Sequence, residues 1–207
     1  MKKVLLFSAA LLIAGVTFGQ SKPKFGILAG PNFSSATIKN LTENSGKETT
    51  DLLVGVRAGV TVDLPLADEF YIGTGLLFAG KGGKNIMDAD VKANLSYLQL
   101  PINFLFKPEV GAGSLNLGAG PYVAYGIGGK FKTKVGDVET KTDAFGDNGG
   151  LKRFDAGLGL VAGYELKTGL YLGINADLGL VNIADNEGGG DGSWKNTSFG
   201  VSVGYKF

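Results

Sequence analysis

Cysteine and histidine are both missing from this chain. No disulfide framework is available, and zinc sites of the usual His/Cys kind are excluded. Lipid acyl-transfer or deacylation chemistry usually needs a His beside a Ser, so that route lacks its base. After the first twenty residues, no stretch approaches the ~20 consecutive apolar residues that a spanning helix needs. An excess of one charge is lacking too: 20 Lys and Arg stand against 19 Asp and Glu. A balance so even gives no global field for a nucleic-acid partner. Glycine, by contrast, is abundant, at 35 of 207 residues, where ~7% is ordinary. That share alone would suggest disorder, but 44% of the residues are hydrophobic. Glycine spread through strands then points to close backbone approach or a crowded interior. The length suits one domain of the barrel or sandwich type.

Residues 1–20 read as a secretory signal peptide, cleaved to leave a mature domain of 21–207. Lys2 and Lys3 form a basic start, Val4 to Val16 an apolar run, and Gly19 a small residue near a cut site. The run is short for a spanning helix, and no Cys follows it for lipidation. An exported chain of this kind is periplasmic, secreted or a barrel in the outer membrane.

Eight period-two segments follow. They are predicted as strands near 25–33, 52–63, 70–80, 95–107, 115–128, 154–166, 170–183 and 196–207. Each has about the ~9–11 residues that a tilted membrane strand needs. Pro101 removes a ladder donor and predicts a local bulge or irregularity. The connections alternate long and short, with Leu64 to Asp68 and Lys167 to Gly169 as tight turns and 35–50, 81–92, 129–152 and 184–195 as polar loops. Brief turns at one end and long loops at the other are the pattern of an outer-membrane barrel with periplasmic termini.

Which face is which separates a membrane barrel from a soluble, lipocalin-like one. One face is Leu, Val, Ile and Phe. The other is Gly with Arg57, Asp63, Asn103, Asp155, Glu165, Asn175 and Asp177. A water-facing surface would carry more Lys, Glu and Thr. The Gly and charge set is therefore placed inside, and the bulky set against lipid. Arg57, Asp63, Asp155, Glu165, Asp177 and Lys206 form an expected lumen charge network, because a buried charge without a partner is very costly. Phe25, Phe70, Tyr164, Tyr205 and Phe207 suit interfacial girdles. The fold class expected is all-β: an eight-stranded antiparallel transmembrane up-and-down β-barrel preceded by a signal peptide.

The last strand alternates Thr197, Phe199, Val201, Val203, Tyr205 and Phe207 with Ser198, Gly200, Ser202, Gly204 and Lys206. Such a strand, ending on Phe, resembles the closing strand of bacterial outer-membrane β-barrels. The resemblance implies that Tyr205 and Phe207 are the assembly signal read by the barrel-assembly machinery. Ser96-Tyr97-Leu98-Gln99-Leu100-Pro101-Ile102, Gly120-Pro121-Tyr122-Val123-Ala124-Tyr125-Gly126, Arg153-Phe154-Asp155-Ala156-Gly157-Leu158-Gly159 and Gly179-Leu180-Val181-Asn182-Ile183 resemble strand motifs of the PorT-like "porin family" outer-membrane domain. That family is related in architecture to the small OmpA and OmpX barrels. The resemblance covers nearly the whole mature chain, implies an outer-membrane location in a Gram-negative bacterium, and transfers no catalytic residue.

Gly75-Leu76-Leu77-Phe78-Ala79-Gly80-Lys81 fits the start of a phosphate loop, but Gly82 stands where Ser or Thr belongs and the strand–loop–helix context is absent. Lys81 and Lys84 are instead read as loop charges near the outer leaflet. The inward carboxylates could supply acid–base chemistry, but a structural plug is the preferred reading. Asp185, Glu187 and Asp191 match no calcium loop. Lys130, Lys132 and Lys134 alternate with Phe131, Thr133 and Val135, so the fifth strand is expected to run on as a protruding hairpin. Its edge offers strand addition to a surface protein. The function expected is non-enzymatic, with a plugged lumen and surface interaction through the outer loops. A narrow porin-like channel for small solutes is the alternative. The chain is expected to work as a monomer in outer-membrane lipid, with no cofactor, metal or nucleic acid.

Overall fold

Alternation, carried through eight long strands, leaves each wall of this protein with one wet and one greasy side. The computed structural model describes residues 22–39, 46–86, 90–136, 138–146, 150–186 and 192–207. The segment 1–20, and Glu187 and Asp191 of the acidic loop, lie outside the described residues.

The strands are β1 (Lys24–Lys39), β2 (Lys47–Thr49), β3 (Leu53–Ala67), β4 (Phe70–Lys84), β5 (Val91–Phe106), β6 (Glu109–Val110), β7 (Gly113–Val135), β8 (Val138–Asp143), β9 (Phe154–Leu166), β10 (Leu170–Gly179) and β11 (Ser193–Lys206). Eight of them form a closed antiparallel barrel in the order β1-β3-β4-β5-β7-β9-β10-β11. β11 returns to pair β1 from Gly26↔Lys206 to Lys39↔Ser193. Closure leaves no strand edge in the wall, which a lipid environment demands of a sheet. The short strands β2, β6 and β8 extend the wall at its two ends.

The faces divide as the hydrophobic pattern requires. Val54, Val60, Leu160, Leu172 and Ile174 are each more than half exposed on the outside. Asn32, Arg57, Gln99, Asp155, Asp177 and Ser198 are buried within. Phe25, Phe70, Tyr164, Tyr205 and Phe207 all collect at the rim that carries the termini and short turns. There the Tyr205 and Phe207 rings meet edge to face at 5.2 Å. Tyr125 and Phe154, in register on β7 and β9, lie toward the opposite end.

Several local expectations shift. The strands outrun the sequence pattern at the loop end: β1 continues to Lys39 and β4 to Lys84. At the other end β3 runs through Pro65 to Ala67, so the tight turn narrows to Asp68 and Glu69, with Glu69 at φ 65°. β10 stops at Gly179, and Ile183 bends into the interior instead of extending the wall. No bulge forms at Pro101, which keeps register with Tyr122. The bulge falls nearby, where Tyr97 pairs Gly126 but Ser96 pairs Gly128, so Ile127 is the extra residue. One extra residue flips every side chain beyond it to the other face. Phe131 thereby packs against the interior, and Lys130, Lys132 and Lys134 turn outward.

Candidate functional site

Residues of one parity on each strand meet inside the barrel, and the order of those residues along the strands stacks them in layers. The layer nearest the termini is ionic. Lys206 Nζ donates to both carboxylate oxygens of Asp63, at 2.9 and 2.8 Å. Lys107 Nζ bridges Asp63 at 2.9 Å and Glu165 at 2.7 Å. Lys24 closes on the remaining oxygen of Glu165. The Lys107 ammonium also lies over the Tyr71 ring at 5.1 Å.

A second layer sits further in. Arg57 Nη1 donates to Asp177 Oδ2 at 2.6 Å, and Gln99 Nε2 donates to the same oxygen at 3.0 Å. Between these layers is a cavity of ≈ 60 Å³ lined by Arg57, Asp63, Asn103, Asn116, Tyr171 and Lys206 among others. That volume is enough for a few waters. Asn103 Oδ1, Asn116 Oδ1 and Thr61 Oγ1 are buried there without a protein partner, so its walls are polar.

The third layer was not legible as a site. Lys81 is buried, 3.4 Å from Asp155 Oδ2. Its ammonium lies 4.1 Å from the centre of the Tyr122 ring and 5.5 Å from that of Tyr97. Asn196 Nδ2 donates to the same Asp155 oxygen at 3.2 Å, and Trp194 Nε1 donates to Asn196 Oδ1 at 3.0 Å. The reading of Lys81 as a surface loop charge is therefore wrong: β4 is longer than its hydrophobic pattern, and Lys81 shares the inward parity of Leu77 and Ala79. Lys84, three residues on, does face outward.

Above this layer the lumen turns apolar. Ile38, Ile86, Leu95, Phe145, Leu151, Ile183 and Trp194 pack into one buried cluster. Chain from the long loops supplies much of it. Phe145 pairs with Leu151, and Leu151 with Ala184, through isolated bridges. Ile183 N–H donates to Trp194 O at 3.0 Å. The Phe145 ring lies edge-on to Tyr97 at 5.7 Å and rests on Gly126, where an added Cβ would meet its Cζ at 2.6 Å. Only a glycine leaves room for that ring.

All six residues named for the lumen network thus lie inside. Lys81 and Lys107 join them, although neither was singled out from the sequence as a lumen residue. The signal that finds both is parity, carried two residues further along β4 from Ala79 and along β5 from Leu105. Among the described residues, the buried cations Arg57, Lys81, Lys107 and Lys206 balance the buried anions Asp63, Asp155, Glu165 and Asp177. No cluster of three or more acidic side chains among the described residues is placed to hold a metal ion.

Outside the barrel, β7 runs on to Val135 and pairs with β8 from Lys130↔Asp143 to Val135↔Val138. Lys130, Lys132 and Lys134 therefore stand on a formed hairpin.

The family described as "Outer membrane protein beta-barrel domain" matches residues 18–185 of the chain. No curated protein matches it. Among solved structures, it is similar to OprG from Pseudomonas aeruginosa at 15% identity, covering 91% of this chain and 98% of that one, with a TM-score of 0.48. It is similar to Ail of Yersinia pestis at 11% identity, covering 90% and 100%, with a TM-score of 0.44. Neisserial surface protein A is similar at 9% identity, covering 90% and 100%, with a TM-score of 0.45.

Proposed function

Because this chain belongs to the outer membrane protein β-barrel domain family, we propose that it is a non-conducting, non-enzymatic barrel that works through its outer loops. Residues 1–20 direct export and are removed, the short turns and both termini face the periplasm, and the long loops face outward. Tyr205 and Phe207 present the final strand to the assembly machinery. The barrel is a monomer in outer-membrane lipid, and the hairpin bearing Lys130, Lys132 and Lys134 meets a surface partner.

One observation carries the closed lumen: its charges are balanced in ion pairs and capped by apolar side chains. An ion entering from the periplasmic side meets carboxylates already taken by Lys24, Lys107, Lys206 and Arg57. It then meets the cluster around Phe145 and Trp194, where no hydration shell survives. A small barrel of eight strands is ordinarily filled by its own side chains in this way.

The test is conductance across a planar bilayer. Purified protein is expected to give no single-channel steps at any holding potential. Reproducible steps that change on Arg57→Ala would replace this reading with a narrow solute channel.

A further inference from the structure

The cap over the lumen is strung between two strands that do not pair with each other, β7 and β11. β9 begins at Phe154 and β10 ends at Gly179, so neither fills the wall above those points. Loop chain bridges the gap. Ala144 N–H donates to Gly129 O of β7 at 3.0 Å, and Leu151 N–H donates to Ala144 O at 3.1 Å. Lys152 N–H donates to Ile183 O at 2.7 Å, and Ile183 N–H to Trp194 O of β11 at 3.0 Å. These bonds make a strap from β7 to β11, and Phe145, Leu151 and Ile183 are buried within it.

Arg153 stands where the strap runs into the wall, one residue before β9. Its carbonyl accepts from Gly126 N–H at 2.7 Å. Its Nη1 donates back to Gly126 O at 2.8 Å. The same guanidinium lies 5.4 Å from the centre of the Phe145 ring, which is the ring that rests on Gly126. One side chain therefore touches both the wall and the strap. Arg153 is only partly buried, and it makes no ion pair with any described residue. Arg57, Lys81, Lys107 and Lys206 differ, each being buried against a carboxylate. A cation that is already partly hydrated loses little by swinging into water.

Contacts of this kind are strong enough to matter and weak enough to release. A hydrogen bond from a charged donor is worth roughly a tenfold to hundredfold factor in an equilibrium. A cation over an aromatic face adds about two- to fivefold at an exposed site. Burial of Phe145, Leu151 and Ile183 supplies the rest of the closing force.

We propose that Arg153 is a latch: its guanidinium, set between Gly126 O and the Phe145 ring, holds the strap shut over the lumen. Its withdrawal into solvent lets the strap lift while the wall stays formed. The latch rests on the closed-lumen reading and names the contact that controls closure. Arg153 is a positioning residue, since it acts through Phe145 and does not itself fill the lumen.

The test reads opening from beneath the strap. The chain has no cysteine, so Leu95→Cys supplies a single thiol, at a side chain 2% exposed in the same apolar cluster. The full chain is held in phosphatidylcholine nanodiscs, and its rate of labelling by a water-soluble maleimide is measured. Exchange of the Ala144, Leu151 and Lys152 amides is followed in parallel with exchange in β10. Labelling is expected to be slow with Arg153 in place. Arg153→Met is expected to speed labelling and strap exchange at least about tenfold and to leave β10 unchanged. Arg153→Lys keeps a charge near the ring and is expected to fall between. Lys167→Met, exposed at the opposite rim, is expected to change nothing. A double-mutant cycle gives an independent reading: with the ring removed by Phe145→Leu, Arg153→Met is expected to add less than it does in the parent. Heat-modifiable migration checks folding, and Arg153→Lys carries both measurements if Arg153→Met does not fold. Labelling of the Arg153 variants at the parent rate overturns the latch. Equal acceleration in β10, or full additivity in the cycle, does so too. Rapid labelling of the parent overturns the closed lumen, and the latch with it.

Discussion

At the scale of single residues, what matters is whether a buried charge has its partner. Lys81 and Asp155 are both almost fully enclosed. Lys81→Met leaves Asp155 uncompensated and is expected to cost roughly 3–5 kcal/mol. Lys81→Met combined with Asp155→Leu is expected to recover most of that loss, since well-packed apolar replacements of a buried pair are often neutral. Urea unfolding from vesicles measures both. The outer face obeys the opposite rule. Ile174 is 59% exposed midway along β10, and Ile174→Arg is expected to destabilise the barrel by about 2–4 kcal/mol, in the same assay. The sign of either effect follows from parity alone. Lys81 escaped notice because Gly80, Gly82 and Gly83 around it look like the start of a loop. No apolar neighbour on that stretch marks the alternation.

At the scale of elements, one bulge sorts the long hairpin. Strand five was legible through Ile127, and its continuation was readable from the alternation of Lys130, Lys132 and Lys134 with Phe131 and Thr133. The sequence did not show that the phase changes in between. Phe131 meets the Trp194 ring at 6.0 Å inside only because Ile127 is the extra residue. Deleting Ile127 removes the extra residue while Gly128 stays opposite Ser96, so Phe131 is expected to remain inside and the three lysines outside on an unbulged strand. A cysteine at position 132 in that deletion is expected to react with a water-soluble maleimide as it does in the parent barrel. Protection in the deletion alone would mean that the strand beyond the bulge slips against β5. Pro101 misled for a related reason: a missing donor marks where a bulge is tolerated, whereas glycines at 126, 128 and 129 made a nearby site easier to bend.

For the whole molecule, the lumen is built in two halves, ionic toward the termini and apolar toward the loops. The chain's single tryptophan, Trp194, is 6% exposed in the apolar half. Its emission therefore reports on the loop-derived stopper separately from the wall. Rising urea is expected to shift Trp194 emission to the red while heat-modifiable migration still shows a folded barrel, because loop segments open before a closed sheet does. Coincident transitions would mean that stopper and wall unfold as one unit. The sequence by itself determined the wall: eight alternating strands, which face meets lipid, and six of the eight charges buried within. Those are local properties with a period of two, and any window of ten residues displays them. Only the tertiary structure decided which charge meets which, since Lys206 and Asp63 are 143 positions apart and barrel closure brings them together. It also decided that the loops fold inward to cap the lumen. Register between distant strands is a global quantity, and no local pattern encodes it.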